Sequence, residues 1–84
     1  MDQYQVKISK SAKKEFKLID KQFHQRIFNV IYDLRNNPIP SGSLRLTNSE
    51  FYRVRIGDYR VIYSLDLVTK IVIITKVRHR KDAY

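Results

Sequence analysis

Eighty-four residues, 43% hydrophobic and 12% aromatic, are expected to form one folded domain, 1–84, and not a disordered basic tail. Seventeen Lys and Arg against eight Asp and Glu leave a formal charge of +9, which expects an anionic partner: nucleic acid, an anionic membrane surface or an acidic protein. The lack of cysteine excludes disulfides, thiol nucleophiles and cysteine-type zinc sites. No stretch reaches the ~18–20 apolar residues of a membrane span, and the start MDQYQVKISK is too charged for a signal peptide, so a cytoplasmic location is expected.

Tyr4, Val6 and Ile8 alternate with polar residues, the period of a short strand with one buried face. Ser9 or Ser11 then offers a helix N-cap. Ala12, Phe16 and Ile19 recur at helical spacing from about residue 10 to 19. Asp20 is expected to cap a second helix, whose stripe Phe23, Ile27, Val30, Ile31 and Leu34 ends at Asn36-Asn37-Pro38. The two helices are expected to pack as a hairpin. Residues 37–50 contain both prolines and are read as a surface connection anchored by Leu44 and Leu46. FYRVRI and YRVIYSL flank Gly57-Asp58, a two-residue hairpin signal. A looser turn at Asp66 to Thr69 leads to KIVIITKV, read as a central strand covered on both faces.

The order is therefore β-α-α-β-β-β. The expected class is α+β, with a helical hairpin on one face of a mostly antiparallel four-stranded sheet. The other face is left for function. Alternation sends Val54 and Ile56 to one side and Arg53 and Arg55 to the other. Arg60, Lys76, Arg78, Arg80 and Lys81 can join them in a basic patch. Adjacent cations repel across a sheet, a cost that a bound phosphate relieves, and a guanidinium holds phosphate through two parallel hydrogen bonds.

Lys13, Lys14, Lys17 and Lys21 are read as a solvated helix face. Tyr52, Tyr59 and Tyr63 are read as core or half-core residues, whereas Tyr84 follows RHRKDA with no core to join. His79 sits among cations and suits acid–base work, because imidazole titrates near neutrality. His24 is expected to be exposed. The two histidines and the carboxylate spacing offer no metal constellation, so no metal and no cofactor is expected.

The run Tyr52-Arg53-Val54-Arg55-Ile56-Gly57-Asp58-Tyr59-Arg60-Val61-Ile62-Tyr63, followed by Val77-Arg78-His79-Arg80-Lys81-Asp82-Ala83-Tyr84, resembles the RelE/ParE superfamily of toxin–antitoxin toxins, RelE-like branch. The opening strand with Ser9-Lys10-Ser11, the Asn-Pro segment and the Leu44-Arg45 step extend the resemblance along the chain. It implies a toxin that cuts messenger RNA at the ribosomal A site and inhibits translation. It also implies contacts to 16S rRNA and a RelB-like antitoxin in a hetero-oligomer, with no membrane partner. Carried over by position, Arg60 holds the scissile phosphate and Arg55 is a catalytic cation. Arg78 belongs to leaving-group protonation, and Tyr84 or His79 is the base. Arg45, Arg53, Arg80 and Lys81 bind RNA. A guanidinium does not readily lose its proton, so Arg53 and Arg55 are restricted to electrostatic roles.

The implied reaction is attack of the RNA's own 2′-OH on the neighbouring phosphorus, leaving a 2′,3′-cyclic phosphate and a free 5′-OH. The alternatives are a ParE-like gyrase inhibitor on the same fold, without RNase activity, and a nucleic-acid-binding regulator without catalysis.

Overall fold

The computed structural model describes residues 3–79 and 81. Strand β1 (Gln5–Ile8) leads directly into helix α1 (Lys10–Lys17), and a single 3₁₀ turn (Lys21–Phe23) runs into α2 (His24–Asp33). Strands β2 (Leu44–Arg45), β3 (Phe51–Ile56), β4 (Tyr59–Asp66) and β5 (Ile71–His79) follow. They form one sheet in the order β1-β5-β4-β3-β2. β1 runs parallel to β5, and the remaining pairs are antiparallel.

Local chemistry explains the helix starts. Ser9 is extended, and its hydroxyl accepts the Ala12 N–H at 3.1 Å, capping α1 one residue after β1 ends. Asp20 caps the 3₁₀ turn through Gln22 N–H at 3.2 Å, so α2 itself begins later than expected, at His24. His24 is not exposed. The chain doubles back after α1, so its Nε2–H donates to the Ile19 carbonyl at 2.8 Å and its ring stacks on Phe16 at 4.5 Å. Ala12, Ile27, Ile31 and Leu34 from the helices meet Val54, Val61, Tyr63, Val72, Ile74 and Val77 in one core, on one side of the sheet.

Three further expectations change. The sheet has five strands, because Leu44 and Arg45 pair with Arg53 and Tyr52 inside the segment read as a connection. Two residues between turn formers carry no detectable period. Leu44, 53% exposed, does not anchor that segment; the anchor is the Tyr63 hydroxyl, which donates to the Pro38 carbonyl at 2.7 Å. Finally, β5 is central but covered on one face only: Ile73 and Lys76 are exposed because both helices lie on the other side.

The strongest local signal holds. Arg55 pairs with Arg60 and Ile56 with Tyr59, leaving Gly57 and Asp58 as the turn. Gly57 has φ 58, the left-handed value that the first turn residue needs and that a side chain resists. On the far side, β4 and β5 slip by one residue. Ile62 faces Lys76 and Tyr63 faces Ile74, so Thr75 is the extra residue of a bulge, its hydroxyl donating to the Ile62 carbonyl at 3.0 Å.

Burial pushes the Tyr63 hydroxyl up to about 12, with the Ser43 hydroxyl opposing and the neighbouring Tyr52 adding to the rise. A phenol whose ionisation is raised on folding contributes stability that is intact below its unfolded value near 10 and is lost as the pH climbs from about 10 to about 12. Thermal melts of wild type and Tyr63→Phe are therefore expected to converge over that interval. Below pH 9 the variant should be less stable by roughly 0.5–1.5 kcal/mol, the usual worth of one hydrogen bond. A constant difference across the range would refute the assignment.

Candidate functional site on the open sheet face

The strand register builds the site. Arg55 of β3, Arg60 of β4 and Arg78 of β5 are consecutive cross-strand partners, so three arginines leave the sheet in one row on the face away from the helices, the head of Arg78 bending to the open edge of β5 toward Glu15 of α1. In the next row Arg53, Ile62 and Lys76 are partners on the same face. Their chain neighbours Val54, Ile56, Val61 and Val77 are buried on the core side. The bulge at Thr75 is indispensable here. In an unbroken strand, residues 76 and 78 would share the core face with Val72 and Ile74.

The guanidinium groups are held by nearby acceptors. Arg55 Nε donates to the Gly57 carbonyl at 3.0 Å, and Arg60 Nη1 donates to the Tyr59 carbonyl at 3.4 Å. Arg78 Nε donates to the Glu15 carboxylate of α1, which also accepts the Val77 N–H at 3.1 Å. Among the described residues, the buried Nε of Arg60, in the centre, has no hydrogen-bond partner.

Not every expected residue joins this row. His79 is the cross-strand partner of Tyr59, and the two rings meet edge to face at 5.3 Å on the helix side. Tyr59 in turn packs against Phe23 at 5.1 Å. The Lys81 N–H donates to His79 Nδ1 at 3.3 Å, which puts the proton of a neutral ring on Nε2. Arg45 pairs with Tyr52, so pleating sends it to the side opposite Arg53; its Nε donates to the Ser49 carbonyl at 2.9 Å. Lys81 is exposed. Arg80 and Tyr84, expected at RNA and as the base, lie outside the described residues.

Tyr52 and Tyr63 stack at 5.8 Å on the core side, so these tyrosines serve the sheet. Lys13, Lys14, Lys17 and Lys21 are exposed on the helix side. Among the described residues, no three His, Asp or Glu side chains gather as a metal site, and no helix is long and apolar enough to cross a membrane. Sequence reasoning missed Glu15. Its one signal was a lone acid among the lysines of α1.

The fold is shared with known proteins. A family model described as the ParE toxin of the type II toxin–antitoxin system parDE matches residues 6–84. The chain belongs to the RelE/ParE family of type II toxin–antitoxin toxins. Its similarity to RelE proteins places it in the RelE branch: it is 36% identical over 85 residues to the putative toxin RelE1 of Methanocaldococcus jannaschii, covering 96% of this chain and 94% of that protein. The toxin in the archaeal RelE–RelB complex from Pyrococcus horikoshii superposes with a TM-score of 0.80 at 34% identity, covering 99% of this chain and 100% of that one. The intact E. coli RelBE complex contains the same fold, with a TM-score of 0.78 at 14% identity over 90% of this chain and 95% of that one.

Proposed function

We propose that this toxin is an endoribonuclease that cuts messenger RNA at the ribosomal A site through attack of the RNA's own 2′-OH. The observation that carries the reading is the cross-strand row Arg55, Arg60, Arg78, with a buried and unpartnered Arg60 Nε at its centre. In this reaction the 2′-oxygen forms a bond to phosphorus as the bond to the 5′-oxygen breaks. The 2′ proton leaves to a base, and the departing 5′-oxygen takes one up. Arg60, with Arg55 beside it and Arg53 in the next row, neutralises the charge that grows on the pentacoordinate phosphorus. Arg78 stands at the leaving oxygen as a hydrogen-bond donor, while Arg80 and Lys81 contact the RNA backbone.

The base is assigned to Tyr84 in preference to His79. His79 has turned to the helix side, where its Nδ1 lone pair is taken by Lys81. A tyrosine accepts the proton as phenolate, a form that neighbouring cations favour. The nucleophile comes from the substrate, so the reaction needs no metal and no protein nucleophile.

Brief induction of the chain, with messenger 5′ ends and gyrase-linked DNA breaks mapped in the same cells, tests the reading. Cuts in phase with codons are expected. Gyrase-linked breaks with intact messages would instead favour a ParE-like action, the reading to which the matched family model lends weight. RNA binding without scission would leave a regulator.

The partner that restrains the toxin is a RelB-like antitoxin, as in the solved complexes of the relatives. Its acidic segments meet a +9 protein, so long-range attraction speeds the encounter. Stopped-flow association is expected to slow roughly 10-fold or more between low and high ionic strength; a salt-independent rate would contradict it.

A further inference from the structure

The arginine row contains one asymmetry. Arg55 and Arg60 donate to backbone carbonyls of their own hairpin, but Arg78 donates to a carboxylate from another element. β1 ends where Ile8 faces Ile74, and Ser9 N–H donates to the Ile74 carbonyl as the chain departs into α1. Among the described residues, no strand pairs with that edge of β5 from Thr75 onward, which would leave the Val77 N–H without a ladder partner. Glu15 fills the gap. One carboxylate oxygen takes the Val77 N–H at 3.1 Å and the other takes Arg78 Nε.

We propose that Glu15 is a positioning residue for Arg78, fixing the guanidinium of the third arginine in the row so that it meets the RNA in one pose. The proposal rests on the ribonuclease reading above. Glu15 suits the task because it is itself held at two ends: its backbone belongs to a capped helix and its carboxylate is hydrogen-bonded to a strand backbone. Arg78 lies at the end of the sheet, where a long side chain otherwise samples many rotamers, and ordering it beforehand removes that cost from the reacting complex. The arrangement also separates two roles within one carboxylate, since each oxygen has its own donor.

That separation supplies the test. A carboxamide has one acceptor oxygen where a carboxylate has two. In Glu15→Gln the backbone N–H of Val77 cannot move away and keeps the oxygen, whereas Arg78 Nε loses the carboxylate oxygen and faces an NH2 group. Single-turnover cleavage at saturating RNA is expected to fall roughly 10- to 100-fold, with the RNA dissociation constant unchanged or lower because a negative charge has gone. In the Arg78→Gln background, the same substitution should produce no further loss. A Glu15→Gln variant that cleaves as fast as wild type or faster would overturn the proposal, since Glu15 would then only occupy Arg78.

A second measurement is independent of activity. In the free protein the Arg78 Nε–H is expected to exchange with water at least 10-fold more slowly in wild type than in Glu15→Gln, read by nitrogen-15 NMR, with similar thermal melts. Equal exchange overturns the clamp even if RNA is cleaved. Slow exchange in a wild-type protein that does not cleave RNA would instead overturn the ribonuclease reading and leave the clamp standing.

Discussion

Arg60→Ala is expected to lower single-turnover RNA cleavage roughly 10²–10³-fold, the usual loss when one donor aimed at a developing oxyanion is removed. Growth arrest on induction should disappear. The fold should survive, because the side chain contributes little to it: Nε lacks a partner and the Nη1 contact to the Tyr59 carbonyl is long, 3.4 Å. Its removal also relieves repulsion from two cross-strand neighbours, Arg55 and Arg78, at about 0.2–1 kcal/mol for each opposed pair. The thermal melt should therefore stay level or rise. Arg60→Lys restores the charge without the planar fork and is expected to recover only part of the rate. A fully active Arg60→Ala enzyme would remove this residue from the mechanism.

Ile74→Ala should abolish toxicity by a different route. Ile74 is completely buried in β5, paired with Ile8 of β1 on one side and Tyr63 of β4 on the other. Deleting its branched side chain leaves a cavity at the junction of the parallel and antiparallel halves of the sheet. The loss is about 2–5 kcal/mol, against a total stability of roughly 5–15 kcal/mol for an ordinary domain. Chemical denaturation should show a lower midpoint with an unchanged slope, and the melting temperature should fall by about 10–30 °C. Both substitutions silence the toxin in cells, so the melt separates lost chemistry from lost fold. A melting temperature within about 3 °C of wild type would mean that the neighbours close the cavity.

Most of the fold was legible in particular residues. The Gly57-Asp58 turn, the stripe of α2 and the alternation of β3 are local patterns set by neighbours within a few positions, and the structure keeps them. Strand β2 escaped because two residues carry no period and its partner β3 supplies the reason for it to be extended. The partial burial of His24 escaped for a similar cause: its acceptor, the Ile19 carbonyl, comes within reach only after the chain has turned between helices. Within the candidate site, Arg53 and Arg55 were assigned to the open face by alternation alone, and Arg60 joined them as the arginine just after the hairpin turn. Arg45 was grouped with them by the family resemblance and His79 by its cationic neighbours in sequence, and the pleat separates them.

The sequence by itself determined the surplus of positive charge, the lack of thiols, the turn of the β3–β4 hairpin, and the side of the sheet on which Val54 and Arg55 fall. All of these follow from composition or from interactions between near neighbours in the chain. Only the tertiary structure decided that the excess charge becomes a row. Bringing Arg55, Arg60 and Arg78 into line requires both strand registers, and the last member reaches its face through a one-residue bulge at Thr75. It alone also decided that Glu15, 63 positions earlier, holds Arg78. That contact exists because β1 ends four residues short of Arg78 on β5, leaving an unpaired edge whose N–H must find an acceptor.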